Sequence, residues 1–135
     1  GDEWVDVIGF DVYQRDADHK KFITDMKRMV QTLSTLATER GKISAITEFG
    51  YNELPEPEWW TKVFWEGIKE FPLSYAMAWR NAGKKSDGTT EYYVPYQGQS
   101  SQADFRNFAR LKNTLFNKEV RKFRIYSYKK MEQLK

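Results

Sequence analysis

Three apolar stretches of strand character alternate with segments whose apolar residues recur at helical spacing. Trp4-Val5-Asp6-Val7-Ile8-Gly9-Phe10 reads as a first buried strand, opening into Asp11-Val12-Tyr13-Gln14. Phe22, Ile23, Met26, Met29, Val30, Leu33, Leu36 and Ala37 then fall on one face of a helix. Asp16 or Asp18 is placed to cap its start, and Gly41 to end it in a left-handed residue. The isoleucine-rich run over 42–48 predicts a second strand, buried on both faces as in a parallel sheet. Pro57 suits the first turn of a second helix. Trp59, Trp60, Val63, Phe64 and Ile68 form its apolar face, and Phe71-Pro72 ends it. A third strand runs from Leu73 to Trp79 and finishes in Arg80-Asn81. The polar segment 82–100 is too long for a plain connector, and such loops are usually functional or mobile. Ser101 and Asp104 match an aspartate form of the capping box. The helix they predict contains Phe105, Phe108, Ala109, Leu115 and Phe116. Phe123-Arg124-Ile125-Tyr126 reads as a strand or an irregular wrap.

The order is βαβαβα, an α/β pattern for which right-handed crossovers between parallel neighbours are expected. A closed β/α barrel needs eight such units and about 250 residues. With 135 residues the chain holds either a small open sheet or about three units of something larger. It opens Gly1-Asp2-Glu3 without a methionine and enters a strand at once, which reads as a cut end.

Composition narrows the chemistry. Tryptophan and tyrosine supply 13 of the 22 aromatic residues, and such amphipathic rings fill cores or line clefts that bind sugars. There is no cysteine, so thiol chemistry and a disulfide scaffold are excluded. A single histidine makes a zinc site improbable. His19, at a helix start, is most simply solvent-facing. No glycine-rich phosphate loop follows the first strand, which argues against nucleotide binding. The chemistry therefore calls for no cofactor. No run reaches the length of a membrane span. The net charge of +3 is uneven: residues 106–135 carry +8 and the remainder −5. That basic end has no nucleic-acid motif and is read as solvated surface or a contact with another part of the protein.

The strand tips hold the candidate site. The first offers Asp11, Tyr13 and Gln14, the second Glu48, Phe49 and Tyr51, the third Trp79, Arg80 and Asn81. Adjacent parallel strands bring such tips to one patch. A carboxylate there can attack an anomeric carbon, and a tyrosine hydroxyl can hold that carboxylate ionised and oriented. An indole can stack on a pyranose, and Arg80 with Asn81 can bond its hydroxyls. Taken singly, Glu48 could be a polar residue closing a strand, Tyr13 a core-edge ring, and Trp79 a plug in a barrel mouth.

In order and spacing, Asp6-Val7-Ile8-Gly9-Phe10-Asp11-Val12-Tyr13-Gln14, Ile46-Thr47-Glu48-Phe49-Gly50 and Ala78-Trp79-Arg80-Asn81-Ala82 resemble the C-terminal half of glycoside hydrolase family 26. These are mainly endo-β-1,4-mannanases, with related β-glucanases and xylanases. Tyr92-Tyr93-Val94-Pro95-Tyr96, followed by Asp104-Phe105, falls where members place a substrate-side loop and the last helix. The resemblance implies the C-terminal portion of a (β/α)8 TIM barrel over residues 1–117, incomplete in this chain, with 118–135 an unassigned basic extension. It implies that Glu48 is the nucleophile of a retaining mechanism, that Tyr13 hydrogen-bonds it, that Trp79 floors the subsite of the cleaved sugar, and that Arg80 contacts the sugar chain on the glycone side. Tyr96 and Trp59 follow as rim aromatics. It also implies a polysaccharide substrate and a secreted, cell-surface or periplasmic location.

A retaining glycosidase needs a second carboxyl group about 5–5.5 Å from the first. In the family that acid/base lies on an earlier strand, upstream of anything present here. Glu66 and Glu70 sit within or at the end of a helix, Glu53, Glu56 and Glu91 in loops, and Asp11 is placed to orient neighbours. The expectation is a chain inactive by itself, completed by the N-terminal half of the barrel from the same protein or a second chain. The rival readings are a non-catalytic carbohydrate-binding fragment and a small α/β domain of unrelated function.

Overall fold

The computed structural model describes residues 1–123. Strands β1 (Val7–Gln14), β2 (Ile43–Tyr51) and β3 (Tyr75–Ala78) form a parallel sheet in the order β1-β2-β3. Helix α1 (His19–Arg40) connects the first two. A π-helical turn, Trp60–Phe64, runs into the short helix α2 (Trp65–Ile68) and connects the second and third. The helical layer and the sheet enclose one core, with Phe10, Val12, Ile46 and Phe49 meeting Met26, Val30, Trp59, Trp60, Phe64 and Ile68. Beyond β3 come the two-residue strands β4 (Gly83–Lys84) and β5 (Thr90–Glu91), paired antiparallel, and helices α3 (Gln102–Phe108) and α4 (Asn117–Phe123).

Helix α1 follows from local chemistry. Of the two candidate caps, Asp18 takes the role, its Oδ1 accepting from Lys21 N at 2.9 Å. Gly41, at φ +61°, turns the chain out of the helix, and Lys42 N–H bonds back to the Ala37 carbonyl. Met26, Val30, Leu33 and Ala37 form the buried stripe. Met26 packs so closely on Gly67 that a Cβ there would stand 2.7 Å from its Cγ, so this glycine sets the approach of the two helices. All five apolar residues predicted for the second helix are buried, and Phe64 stacks on Phe49 at 3.8 Å between centroids.

Several boundaries differ from expectation. Trp4 lies in a 3-10 turn (Asp2–Trp4), not in the first strand. Strand β1 instead continues through Gln14, and β2 through Tyr51, so the expected tip residues lie within strands. Burial of β2 on both faces holds for Ala45 and Ile46 but fails at Ile43, which is 46% exposed. Pro57 sits in a turn, and the helix after it opens as a wider π turn closed by Trp65 N–H to Trp60 O. The segment 82–100 is partly a hairpin rather than an open loop. Asn52 fastens it to the end of β2, bonding Thr90 O and Tyr92 N.

The capping box is replaced by a longer-range contact. Asp104 does not reach back to Ser101. It accepts from Thr61 N at 2.9 Å and from Thr61 Oγ1, and so caps the start of another helix. Ser101 Oγ donates to Gln99 and receives the Trp60 indole N–H. Leu115 lies outside α3 and is exposed, while Phe116 packs on Phe105 and Phe108. Helix α4 runs through 117 and 118, where the basic extension was expected to begin. Phe123 lies in it, and the rest of the 123–126 reading lies outside the described residues. No helix among the described residues is long and apolar enough to cross a membrane.

Candidate active site

The sheet face away from the helices carries the site. Successive residues of a strand point to opposite faces, so Phe10 and Val12 in the core leave Asp11 and Tyr13 on the other side. Strand β2 breaks its alternation to match. Pairing steps from Phe10↔Ile46 to Asp11↔Glu48, so Thr47 and Glu48 together oppose one residue of β1. This is a β-bulge, uncommon between parallel strands. Ile46 and Phe49 both remain in the core, and Thr47 and Glu48 both emerge on the Asp11/Tyr13 face.

The decisive contact crosses from β1 to β2. Tyr13 donates its phenol proton to Glu48 Oε2 at 2.8 Å. Burial, the bond to Glu48 and the carboxylate's charge, in that order, raise the phenol's pKa far above its ordinary value, so Tyr13 stays a donor. Glu48 Oε1 has no hydrogen-bond partner among the described residues. Beside them, Thr47 Oγ1 donates to Asp11 Oδ1 at 2.7 Å. The Tyr93 ring stands edge-on to Tyr13 at 5.5 Å, and the Arg15 guanidinium lies 5.1 Å from the centre of the Tyr13 ring. Tyr93 occupies the space above Gly50, where any Cβ would collide with the ring.

Trp79 follows the end of β3, its N–H donating to Phe49 O at 2.9 Å, which ties it to the residue after Glu48. Its side chain is half-buried, and Arg80 beside it is exposed. Tyr96 is 47% exposed and leans on Tyr92, their centroids 4.8 Å apart. Direct contact is thus between Glu48 and Tyr13. Trp79 is joined to the strand of Glu48 through its backbone, Arg80 follows it in the chain, and Tyr96 stands farther along the segment that brings Tyr93 in.

Four expectations are corrected. Trp59 is not a rim aromatic: it is wholly buried and donates its indole N–H to Gln14 Oε1 at 2.7 Å. Gln14 accordingly faces the helical layer and leaves the patch. Asn81 is an internal clamp, its Oδ1 accepting from Tyr93 N and Val94 N and its Nδ2 donating to Val94 O. His19 is half-buried between Gln14 Nε2 at 2.7 Å and Glu56 Oε2 at 3.6 Å. Thr47, Tyr93 and Arg15 were not singled out from sequence. The signal for Thr47 was present, because apolar Ile46 and Phe49 three apart cannot share one face of a regular strand.

This arrangement can present one carboxylate, held by a phenol through one oxygen and without a hydrogen bond at the other among the described residues, on a face that also carries aromatic rings. A β-mannanase of glycoside hydrolase family 26 from Bacteroides ovatus superimposes with a TM-score of 0.77, at 38% identity over 86% of this chain. The chain is a family 26 mannanase-like segment. The catalytic domain of a family 26 endo-β-1,4-mannanase from Bacillus sp. JAMB-750 gives 0.76 at 30% identity over 89%. A mannan endo-1,4-beta-mannosidase of Bifidobacterium adolescentis is 33% identical over 81% of the chain. No family model matches. The family 26 segment spans 32% and 34% of the two solved chains and 12% of the Bifidobacterium protein. Its parallel strands and helices are accordingly part of an α/β fold.

Proposed function

We propose that this chain carries the nucleophile half of the active site of a retaining endo-β-1,4-mannanase. Its three strand–helix units form the C-terminal portion of a (β/α)8 barrel over residues 1–117, with 118–135 a basic extension. Glu48 is the nucleophile, and Tyr13 holds its Oε2 so that Oε1 faces the sugar. Trp79 floors the subsite of the cleaved mannose, Arg80 binds the chain on the glycone side, and Tyr96 is a rim aromatic. The observation that carries this reading is the 2.8 Å bond from Tyr13 to Glu48 in a chain similar to mannanases.

In the reaction, Glu48 Oε1 attacks the anomeric carbon as the glycosidic C–O bond breaks. The departing sugar oxygen takes a proton from an acid outside this chain, about 5–5.5 Å from Glu48. Water then opens the glycosyl ester and returns a proton to that same acid/base group. Because Tyr13 remains protonated, it can favour the ionised nucleophile before attack and follow the ester oxygen after it. The exposed apolar side chains Val7, Ile43, Tyr75 and Met77, on the face that carries Glu48, support completion of the barrel by further β/α units. A polymeric substrate sets the action outside the cytoplasm, by secretion or at the cell surface or periplasm.

The test is covalent trapping of the complete protein with a 2-deoxy-2-fluoromannosyl substrate that has a good leaving group. The expected result is a glycosyl ester on Glu48 in the peptide mass map, and no hydrolysis by residues 1–135 alone. Labelling of another residue, or full turnover by Glu48→Ala, overturns the reading. Mannan binding with no turnover by the complete protein leaves only carbohydrate recognition.

A further inference from the structure

We infer that Thr47 is a positioning residue, the extra residue of the β2 bulge whose pinned side chain aims Glu48 at the sugar. This rests on Glu48 being the nucleophile.

If β2 ran as a regular strand from Ile46, Thr47 would face Asp11, Glu48 would turn into the aromatic layer and Phe49 would turn out of it. That register buries a carboxylate among apolar rings and exposes Phe49, both unfavourable. The observed register avoids this by giving Thr47 and Glu48 the same side, and the pairing with β3 skips correspondingly from Ala76↔Ile46 to Ala78↔Phe49. A bulged residue loses regular ladder bonds, so something else has to hold it.

Thr47 is held at both ends of its side chain. Its hydroxyl donates to Asp11 Oδ1 at 2.7 Å. Its methyl lies over Gly9, where a Cβ would stand 2.8 Å from Thr47 Cγ2 and 2.7 Å from the Ala45 carbonyl oxygen. Gly9 therefore leaves room for the bulge, Asp11 fixes its rotamer, and the next peptide delivers Glu48 to Tyr13. Thr47 has no part in bond making. It acts through the direction in which Glu48 leaves the backbone.

The test uses the complete protein with Thr47→Val, nearly isosteric but without the hydroxyl, and Thr47→Ser, which keeps it. Small misplacement of a nucleophile costs on the order of tenfold to a hundredfold in rate. Thr47→Val is expected to lose that much in kcat and in the rate of fluorosugar labelling at Glu48, with KM little changed. Thr47→Ser is expected to recover most of both. Gly9→Ala, acting on the same bulge from the other strand, should slow labelling in the same way. A merely structural threonine would change the unfolding midpoint and leave the kcat–KM split alone. Wild-type labelling by Thr47→Val, or a loss lying wholly in KM, overturns the inference and leaves the nucleophile standing. Full turnover by Glu48→Ala removes the nucleophile and this inference with it. Should Thr47→Val not fold, Thr47→Ala removes the hydroxyl without new bulk and is read by the same two outcomes.

Discussion

The indole N–H of Trp59 donates to Gln14 Oε1 across 2.7 Å inside the core, joining the end of β1 to the turn that opens the second helical segment. Both partners are buried, so losing one leaves the other without water to replace it. Trp59→Phe keeps most of the ring stacking on Phe49 and Phe64 but strands the Gln14 oxygen. An unsatisfied buried acceptor costs about 1–3 kcal/mol, which should appear as a lower denaturant midpoint at unchanged slope.

The same glutamine fixes a tautomer. Trp59 N–H can only donate and the Asp16 carbonyl can only accept, so the Gln14 amide has one orientation. Its Nε2 must then donate to His19 Nδ1, which leaves the neutral imidazole's proton on Nε2, facing Glu56. Long-range 1H–15N spectra of the neutral ring should show the Nε2–H form, and Gln14→Leu should release that preference.

Tyr13 makes a prediction in alkali. Its phenol pKa is raised in the folded protein, so its contribution to stability is complete below the unfolded value of about 10 and is lost as pH rises above it. Unfolding free energy should therefore fall above that pH, and Tyr13→Phe should flatten the fall. Tyr51, also raised by burial and by Asp16 and Glu56, should leave a remnant in that variant. Glu48→Gln should move the Tyr13 absorbance titration downward while burial keeps it above an ordinary tyrosine.

Gly50 lies under the Tyr93 ring, and its replacement tests how far that ring holds the site. Gly50→Ala must displace Tyr93 from its edge contact with Tyr13. Forced overpacking of this kind costs about 1–3 kcal/mol. Thermal unfolding should show the loss, and Gly50→Ala combined with Tyr93→Ala should lose less than the two single changes added together.

What the sequence made legible was mostly local or periodic. Asp18, the Met26–Ala37 stripe and Gly41 define α1 within one stretch of chain. The five apolar residues from Trp59 to Ile68 identify a buried helical face whatever the helix geometry. The pairing of Tyr13 with Glu48 came from the resemblance together with strand order, since parallel neighbours bring their ends together. Choices decided by distant partners were hidden. Ser101 and Asp104 have the spacing of a local cap, yet Thr61, 43 residues away, takes the aspartate. Trp59 suits a sugar platform as well as a core, and only Gln14, 45 residues away, resolves which. Asn81 could bond a hydroxyl, but the backbone of Tyr93 and Val94 claims its amide first.

The sheet that carries Glu48 also turns Val7, Ile43, Tyr75 and Met77 toward water, and among the described residues β1 and β3 each pair on one side only. An oily surface bordered by unfilled backbone donors and acceptors is a template for stacking and for adding strands. Kept by itself in solution, the stretch bearing Glu48 would be drawn into clumps with its own kind.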